Sequence, residues 1–296
     1  MYLLNRRQRH RVNYTWMILS LMLVALLPFF LFLGLYFKSF TLLHDFSLWD
    51  LIFSKEWRPS AGKFGFYPFI IGSIWVTLIA MLITAPICLL TAIYVTQYTE
   101  KHFLRLMHPA IDILAGIPSV VYGVWGILVI VPFISNYLGP LFGIKTMGYS
   151  ILAASFVLSI MIIPFVLNIL IEIFRAIPTE LKEASLSLGA TQWQTIKKVL
   201  MRKALPGIIA AFGFGLARAF GETMAVLMVV GNVVRLPKNV FDPGYTLPSL
   251  IANNYGEMLS IPKYDSALMF AALILLAVSL FFNLIMHFFI ERYNKY

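Results

Sequence analysis

The sequence predicts an all-α integral membrane protein. Of its 296 residues, 60% are hydrophobic and only 12% are charged, whereas charged residues make up about 25% of an ordinary soluble domain. Six apolar runs are each long enough to cross a hydrocarbon core of about 30 Å as a helix, which takes about 20 residues. The aromatic content of 15% excludes a disordered chain. The predicted spans cover approximately residues 16–37, 69–95, 111–134, 150–174, 206–233 and 267–290.

The first run predicts an uncleaved anchor. Basic residues precede it, as in a secretory signal peptide, but its 22 residues exceed the apolar core of such peptides, which has about 7 to 15 residues. The sequence Lys38-Ser39-Phe40 offers no small-residue cleavage site. We therefore expect residues 1–68 to form a basic N-terminus, this anchor and an external loop. Residues 69–291 are expected to form the transmembrane domain.

The basic residues that flank the runs predict the orientation of the chain. With the N-terminus placed inside, the cytoplasmic segments carry 14 Lys and Arg residues and the external segments carry 8. Basic residues are retained on the cytoplasmic side of membrane proteins, so this orientation is favoured. An even number of spans then returns the C-terminus to the cytoplasm. The net charge of +10 is therefore mainly a signal of topology, and we expect no nucleic-acid partner.

A segment between the fourth and fifth runs, at about 178–203, has the pattern of two short helices joined by a break. Thr179 is a candidate N-cap of the first helix, and Gly189 can supply the left-handed residue that ends it. Thr191 and Gln194 match a capping box that starts the second helix. The pattern fits either a helix pair lying on lipid headgroups or a surface that docks another protein. The predicted apolar faces consist of Leu181, Ala184 and Leu188 in the first helix and Trp193, Ile196 and Leu200 in the second.

Two charged residues, Arg218 and Glu222, lie near the middle of the fifth run. Their spacing of four residues would place both on one face of a continuous helix. A charge in this position costs about 2.5 to 3.5 kcal/mol on insertion scales, so both side chains should face protein or a water-filled path. They could form a self-neutralising pair, but intramembrane ionisable residues are by default candidates for a transport path. A guanidinium offers a planar fork of donors that suits a tetrahedral oxyanion.

The third run contains a second irregularity, at residues 115–123. Pro118 frees a backbone carbonyl, and small residues such as Ser119 allow a neighbouring helix to approach closely. From these features alone, a kinked packing helix is favoured over a role in a path.

The segment Glu183-Ala184-Ser185, followed by Gly189, resembles the EAA loop of ABC importer permeases. In that family the first helix of the loop seats in a groove of the ATPase subunit. Two positions depart from the family pattern: Ser185 replaces the second alanine, and Arg202 stands where the final proline is expected.

Residues 115–123 and 218–232, together with 65–73, resemble the phosphate-specific permeases of ABC importers. Of the two related subunits of that family, the PstC type is the more similar, and the similarity extends over about residues 64–291. The resemblance implies a type I importer permease with the MetI-like fold and an extra N-terminal span. It also implies a role in carrying inorganic phosphate across a bacterial-type cytoplasmic membrane.

The same resemblance implies the partners and the functional residues. The expected partners are a homologous second permease, two cytoplasmic ATP-binding subunits and an extracytoplasmic phosphate-binding protein. The chain itself is expected not to be an enzyme, because it lacks the phosphate-binding loop of an ATPase. Expected residues of the substrate path are Arg218, Glu222, Thr223 and Ser119, and those that couple to the ATPase are Glu183, Ala184, Ser185 and Gly189.

Other functions remain open at this stage. An arginine fork does not distinguish phosphate from molybdate or sulfate. An ion-coupled secondary transporter or channel without an ATPase would also place paired charges in the membrane, although it needs no capped elbow. The scattered histidines and the single Cys88 suggest neither a metal site nor a cofactor.

Overall fold

The computed structural model describes residues 6–99, 101–256 and 261–294. Within these ranges, six helices are long and apolar enough to cross a membrane, which confirms the predicted number of spans. The spans are Asn13–Asp45, Tyr67–Gln97, Ser119–Leu141, Ile151–Arg175, Gln192–Gly221 and Tyr264–Arg292.

The first half of the described chain contains seven helices and one hairpin. The helices are α1 (Arg6–Asp45), α2 (Leu48–Phe53), α3 (Tyr67–Gln97), α4 (Lys101–Gly116), α5 (Ser119–Trp125), α6 (Val131–Phe133) and α7 (Gly139–Leu141). The antiparallel hairpin consists of β1 (Trp57–Arg58) and β2 (Lys63–Phe64), joined by a 3₁₀ turn. Two π-helical turns, Gly126–Ile130 and Ile134–Leu138, join α5, α6 and α7.

The second half contains the remaining helices. They are α8 (Ile151–Arg175), α9 (Thr179–Ser187), α10 (Gln192–Thr195), α11 (Met201–Phe220), α12 (Met224–Val229), α13 (Leu247–Asn254) and α14 (Tyr264–Asn294). A π-helical turn, Ile196–Leu200, joins α10 to α11. We call residues 178–203 the elbow. The end of the bundle at Gln97 and Arg175 is called the elbow end, and the opposite end, at Tyr67 and Ile151, the hairpin end.

The third predicted span, 111–134, has the wrong boundaries. Ile111 belongs to α4, and Pro118 has an extended conformation with φ −60° and ψ 142°. A proline disfavours the helical conformation of the residue before it, so α4 ends and a new helix begins at Ser119. The span then continues to Leu141. The apolar composition continues across this break, which is why hydropathy alone did not locate it.

Helices α3 and α8 form the centre of the bundle. The buried hydroxyl of Ser155 in α8 donates to the Val76 carbonyl oxygen in α3 at 3.2 Å. The hydroxyl of Thr84 in α3 donates to the Ser159 carbonyl oxygen at 3.4 Å. Such hydrogen bonds link membrane helices where no water competes.

The N-terminal helix α1 stands apart from this centre over most of its length. Large apolar side chains from Tyr14 to Phe32 are exposed on the isolated chain. Near the end of the helix, Leu42 is fully buried, and the Asp45 carboxylate forms an ion pair with Lys263. The helix is therefore tied to the rest of the chain mainly at the hairpin end.

Aromatic rings hold the β-hairpin against the hairpin end of the bundle. The Trp57 ring meets its aromatic neighbours at centroid distances of 5.1 to 6.0 Å, in edge-on arrangements. These rings come from the hairpin and from the first turns of α3 and α14. The neighbours are Phe64, Phe66, Phe69 and Tyr264.

Candidate functional site

The fifth span breaks beside the two charges predicted to lie in its middle. A continuous helix over 206–233 is a wrong prediction, because α11 ends at Phe220 and α12 is a separate helix of six residues. Arg218 lies in the last turn of α11, whereas Glu222 lies in the break. The two side chains therefore do not share the face of one helix.

Local side-chain hydrogen bonds account for this break. The Glu222 carboxylate accepts a hydrogen bond from the Ala225 backbone N–H at 3.3 Å and so caps the first turn of α12. The Thr223 hydroxyl donates to the Gly221 carbonyl oxygen at 3.3 Å. Side chains that bond to the nearby backbone compete with a continued helix. The carboxylate predicted to pair with Arg218 is thus engaged in a cap.

The guanidinium of Arg218 lies over an aromatic ring of α8. Its Cζ atom is 4.8 Å from the centroid of the Phe165 ring, and Arg218 is exposed on the isolated chain. Among the described residues, no ion pair includes Arg218. A cation–π contact occupies the face of the guanidinium and is worth about 0.5 to 1 kcal/mol at an exposed site. The N–H donors point outward in the guanidinium plane and are available to an oxyanion.

Glu222 borders a small cavity of about 10 Å³. The cavity is also lined by Ser73 and Thr77 of α3 and by Thr246, which precedes α13. All three of these side chains are buried. The volume is on the scale of one water molecule, and hydroxyl groups are suitable partners for such a water. The break in the fifth span is therefore lined by polar groups from two other segments.

Ser119 begins α5, which packs along α12. A Cβ at Gly123 of α5 would contact Met228 of α12, and one at Gly126, in the π-helical turn that continues α5, would contact Val229. These contacts advance in the same direction along both helices, so Ser119 lies on the side of α5 nearer the beginning of α12. The structure thus gathers Arg218, Glu222 and Thr223 at the break and places Ser119 on the helix beside it.

The elbow has the predicted break and the predicted second helix. Gly189 has a left-handed conformation with φ +82°. The Gln194 backbone N–H donates to the Thr191 hydroxyl at 3.3 Å, and the Thr191 N–H donates to the Gln194 side-chain oxygen at 2.9 Å, which confirms the capping box. The prediction for Thr179 is wrong, since Pro178 is the N-cap and no side chain caps the helix. Pro178 is extended, with ψ 133°, so the helix starts one residue earlier than predicted.

The first helix of the elbow lies on the surface. No residue of α9 is buried, and Glu183 and Ala184 are exposed. Ser185 points the other way, because its hydroxyl is 2.9 Å from the hydroxyl of the buried Thr195 in the second helix. The serine that departs from the EAA pattern therefore joins the two helices, and the rest of α9 remains accessible to a partner.

The apolar faces predicted for the elbow differ between its two helices. In the second helix Ile196 and Leu200 are buried, whereas Trp193 is 52% exposed. In the first helix Leu181 is 38% exposed, and Leu188 lies beyond the end of the helix and is 90% exposed. The second helix is thus packed on the bundle and the first is not.

Sequence analysis missed Gln97, the last residue of α3. Its side-chain oxygen accepts a hydrogen bond from Lys182 Nζ at 3.2 Å, and its backbone oxygen accepts one from Gln192 Nε2 at 2.8 Å. The partners are 85 and 95 residues away in sequence. No local pattern signals contacts over such a separation.

A polar pair between α4 and α8 was also missed. Asn168 Nδ2 donates to the Asp112 carboxylate at 3.2 Å, and the Asn168 Oδ1 atom is buried with no partner among the described groups. Asn168 follows Phe165 by three residues, so both lie on one face of α8. The Asp112 carboxylate is therefore bonded to the face of α8 that also carries Phe165.

At the hairpin end a cavity of about 460 Å³ opens between residues 144–149 and 227–243. Asn232 lines it with a left-handed conformation of φ +51°. Its amide nitrogen donates to the Leu227 carbonyl oxygen at 2.8 Å, and its buried Oδ1 atom has no partner among the described groups. The volume is within the usual range of small binding pockets, about 300 to 1,000 Å³. This end therefore offers a recess to a segment from outside.

Comparison with known proteins identifies the family. The model of the family "Binding-protein-dependent transport system inner membrane component" matches residues 89–295, which is more than half of the chain. A phosphate transport system permease protein PstC of Xylella fastidiosa is 38% identical over 244 residues, covering 78% of this chain and 75% of that protein. The probable ABC transporter permease protein YqgH of Bacillus subtilis is 38% identical over 274 residues, covering 92% and 87% of the two chains.

A solved structure shares the fold. The permease in an inward-facing structure of the MetNI methionine ABC transporter aligns with a TM-score of 0.55 at 22% identity, covering 76% of this chain and 96% of that one. The six spans have the MetI-like arrangement of ABC importer permeases, as predicted. From its matched sequence, its spans and its fold, this chain belongs to the family of inner membrane components of binding-protein-dependent transport systems.

Proposed function

We propose that this chain is the permease subunit of an ATP-driven importer that translocates inorganic phosphate across the cytoplasmic membrane. The observation that carries the proposal is the Arg218 guanidinium, which lies at a helix break, is stacked on Phe165 and has no carboxylate partner among the described residues. Relatives 38% identical over most of the chain bear the name phosphate transport system permease. The name of the relatives identifies phosphate as the proposed anion. The exposed guanidinium is a group that can bind such an anion.

The chemistry of the break suits transient contact with an oxyanion. A guanidinium donates two parallel hydrogen bonds to two oxygens of a tetrahedral anion. Glu222 is four residues away in sequence, and its negative charge would limit how tightly an anion is held near Arg218. We assign Thr223 and Ser119 to the same path as polar groups that line it; the Ser119 hydroxyl can donate to the anion, whereas the Thr223 hydroxyl donates to the Gly221 carbonyl oxygen. A permease must release its substrate, so weak binding is the functional requirement.

The family membership implies association with ATP-binding subunits and a substrate-binding protein. We propose that Glu183, Ala184 and Ser185, with the turn at Gly189, couple the permease to the ATPase. The support is that α9 is exposed and is fixed to the bundle from one side only. ATP hydrolysis is then confined to the separate subunits.

We further propose a heterodimer with a homologous permease, two cytoplasmic ATP-binding subunits and an extracytoplasmic phosphate-binding protein. The excess of basic residues at the proposed inner side supports cytoplasmic N- and C-termini. Residues 69–291 would form the transport domain, and residues 1–68 the basic N-terminus, the anchor and an external loop. The exposed flank of α1 leaves apolar surface for lipid or the second permease.

These observations bear on the two alternative functions that the sequence allows. A secondary transporter or channel without an ATPase does not account for an exposed EAA-type elbow in a chain of this family. Another oxyanion, such as molybdate or sulfate, would satisfy the same guanidinium. The substrate assignment must therefore be tested with competitors.

The test is uptake of radiolabelled phosphate by the complete complex in proteoliposomes supplied with ATP. We expect uptake that excess unlabelled phosphate suppresses and that molybdate and sulfate leave unchanged. Arg218→Gln should abolish uptake while the complex still assembles. Arg175→Gln is the matched control, because it removes an arginine of α8 whose partner is the exposed Glu172. Stronger competition by molybdate or sulfate, or normal uptake by Arg218→Gln, would contradict the proposal.

A further inference from the structure

Helix α3 is attached at both of its ends to segments that the sequence places on opposite sides of the membrane. It has 31 residues, which corresponds to a length of about 46 Å. One end bonds to the elbow, and the other bonds to the segment that leads into α13. A helix of this length crosses the hydrocarbon core with its two attachment points outside or at the edge of it.

At the elbow end, both helices of the elbow converge on Gln97. Lys182 of α9 donates to its side-chain oxygen, and Gln192 of α10 donates to its backbone oxygen. No residue of α9 is buried, and its side-chain hydrogen bonds to the rest of the described chain are the bond from Lys182 to Gln97 and the contact between Ser185 and Thr195. A force applied to α9 can therefore follow two routes. It reaches α3 through Gln97, and it reaches α11 through the covalent chain.

At the hairpin end, the backbones of α3 and of the segment before α13 are in direct contact. A Cβ at Gly72 would overlap the carbonyl oxygen of Tyr245, so only glycine fits there. The next residue, Ser73, accepts a hydrogen bond from the Leu247 backbone N–H at 2.9 Å and donates to the Phe69 carbonyl oxygen at 2.9 Å. Ser73 is only 5% exposed. A shift of α3 along its axis would thus displace the first turn of α13.

Between its ends, α3 passes the break in the fifth span. Ser73 and Thr77 line the small cavity beside Glu222. The helix is packed on α8 along this stretch, where Thr84 donates to the Ser159 carbonyl oxygen. One packed helix therefore contacts the elbow, the proposed substrate path and the segment at residues 245–254.

We propose that α3 transmits motion between the ATPase side and the outer side of the permease, with Gln97 and Ser73 as its positioning residues. This inference rests on the proposed function, in which the elbow docks the ATPase and the hairpin end faces the binding protein. Movement of the elbow displaces α3 through Gln97 and repositions residues 245–254. In the reverse direction, docking outside changes the geometry of α9 and hence the ATPase rate.

The first measurement is the ATPase rate of the complete complex in nanodiscs, with and without phosphate-loaded binding protein. Gln97→Ala removes the acceptor for Lys182, and we expect it to retain the basal rate and to lower the stimulation about tenfold, the effect of losing one hydrogen bond to a charged group. Gln97→Glu keeps an acceptor and should retain the stimulation. Thr99→Ala is the matched control, because within the described part of the chain the Thr99 hydroxyl bonds locally, to the Tyr94 carbonyl oxygen at 3.1 Å.

The second measurement does not depend on phosphate. Hydrogen exchange at residues 245–254 is compared in the resting complex and in the complex trapped with ATP and vanadate. We expect trapping to change the protection of these amides in the unaltered complex, in Gln97→Glu and in Thr99→Ala. The change should be clearly smaller in Gln97→Ala, which loses the bond to Lys182 but keeps the backbone bond to Gln192, and in Ser73→Ala.

The outcomes separate this inference from the proposed function. Full stimulation or a full exchange response in Gln97→Ala would overturn the inference, as would the lack of any exchange response in the unaltered complex. If phosphate-loaded protein fails to stimulate the unaltered complex but the exchange response is present and depends on Gln97, the substrate assignment fails and the role of α3 stands.

Discussion

Replacement of Gly189 tests whether backbone geometry of the elbow is required for docking of the ATPase. Gly189 has φ +82°, and no heavy atom lies within 4 Å of the position that a Cβ would occupy. A side chain there meets no steric obstacle within the chain, so the penalty comes only from the left-handed backbone. That penalty is about 1 to 2 kcal/mol for an ordinary residue and larger for a β-branched one. It corresponds to a decrease of about 5- to 30-fold in the population of the correctly bent elbow.

The assay is titration of the ATPase subunit onto the permease complex in nanodiscs. We expect the affinity for the ATPase subunit to decrease from glycine to asparagine, then alanine, then valine. Gly189→Val should lower this affinity at least by the factor calculated above. Asparagine is the control for bulk, because it tolerates the left-handed conformation better than other residues with a side chain. Unchanged affinity in Gly189→Val would refute the reasoning. If Gly189→Asn is as weak as Gly189→Val, side-chain bulk at the interface and not backbone strain is the cause.

Three further predictions follow from the same structure. Arg218→Lys keeps the charge and loses the planar fork, so phosphate uptake should fall about tenfold or more; an unchanged uptake rate would show that a point charge is sufficient. Gly126→Ala places a Cβ 2.6 Å from a valine methyl of α8 and should cost about 1 to 3 kcal/mol, which lowers the thermal unfolding midpoint in detergent; Gly116→Ala, with nothing within 4 Å, should not. The hydrogen bond from Lys63 lowers the pKa of Glu56 below its ordinary 4.5, so the pair stabilises the hairpin above that pH and this stabilisation is lost as the pH falls through the lowered pKa. Amide exchange at residues 57–64 should show this loss of protection as the pH falls. In Glu56→Gln this pH dependence should be absent.

Much of the fold was predictable because its signals are local. Span number depends on runs of apolar residues, and the elbow depends on contacts within a few residues. Thr191 and Gln194 cap one helix from positions three apart, and Gly189 sets its bend alone. These interactions involve only residues within the segment, so the sequence of the segment is sufficient to predict them.

The parts that were not predictable depend on competition or on distant residues. Hydropathy averaged over a whole span is insensitive to a break of three residues at 221–223, since apolar residues resume at Met224. The break at Pro118 was visible as a kink, but the amphipathic helix before it and the span after it read as one run. The bonds of Gln97 join segments 85 and 95 residues apart and leave no local pattern.

The break in the fifth span bears directly on the proposed function. In a continuous helix, Arg218 and Glu222 would be neighbours on one face and their charges would largely cancel. The break turns the Glu222 carboxylate toward the Ala225 N–H and leaves the guanidinium over Phe165. Non-helical backbone at membrane depth is tolerated only where it is buried in protein or lines a water-filled cavity. Arg218 is exposed on the isolated chain beside this break and has no carboxylate partner among the described residues. Under the proposed function it lines a water-filled path, where an unpaired positive charge attracts anions.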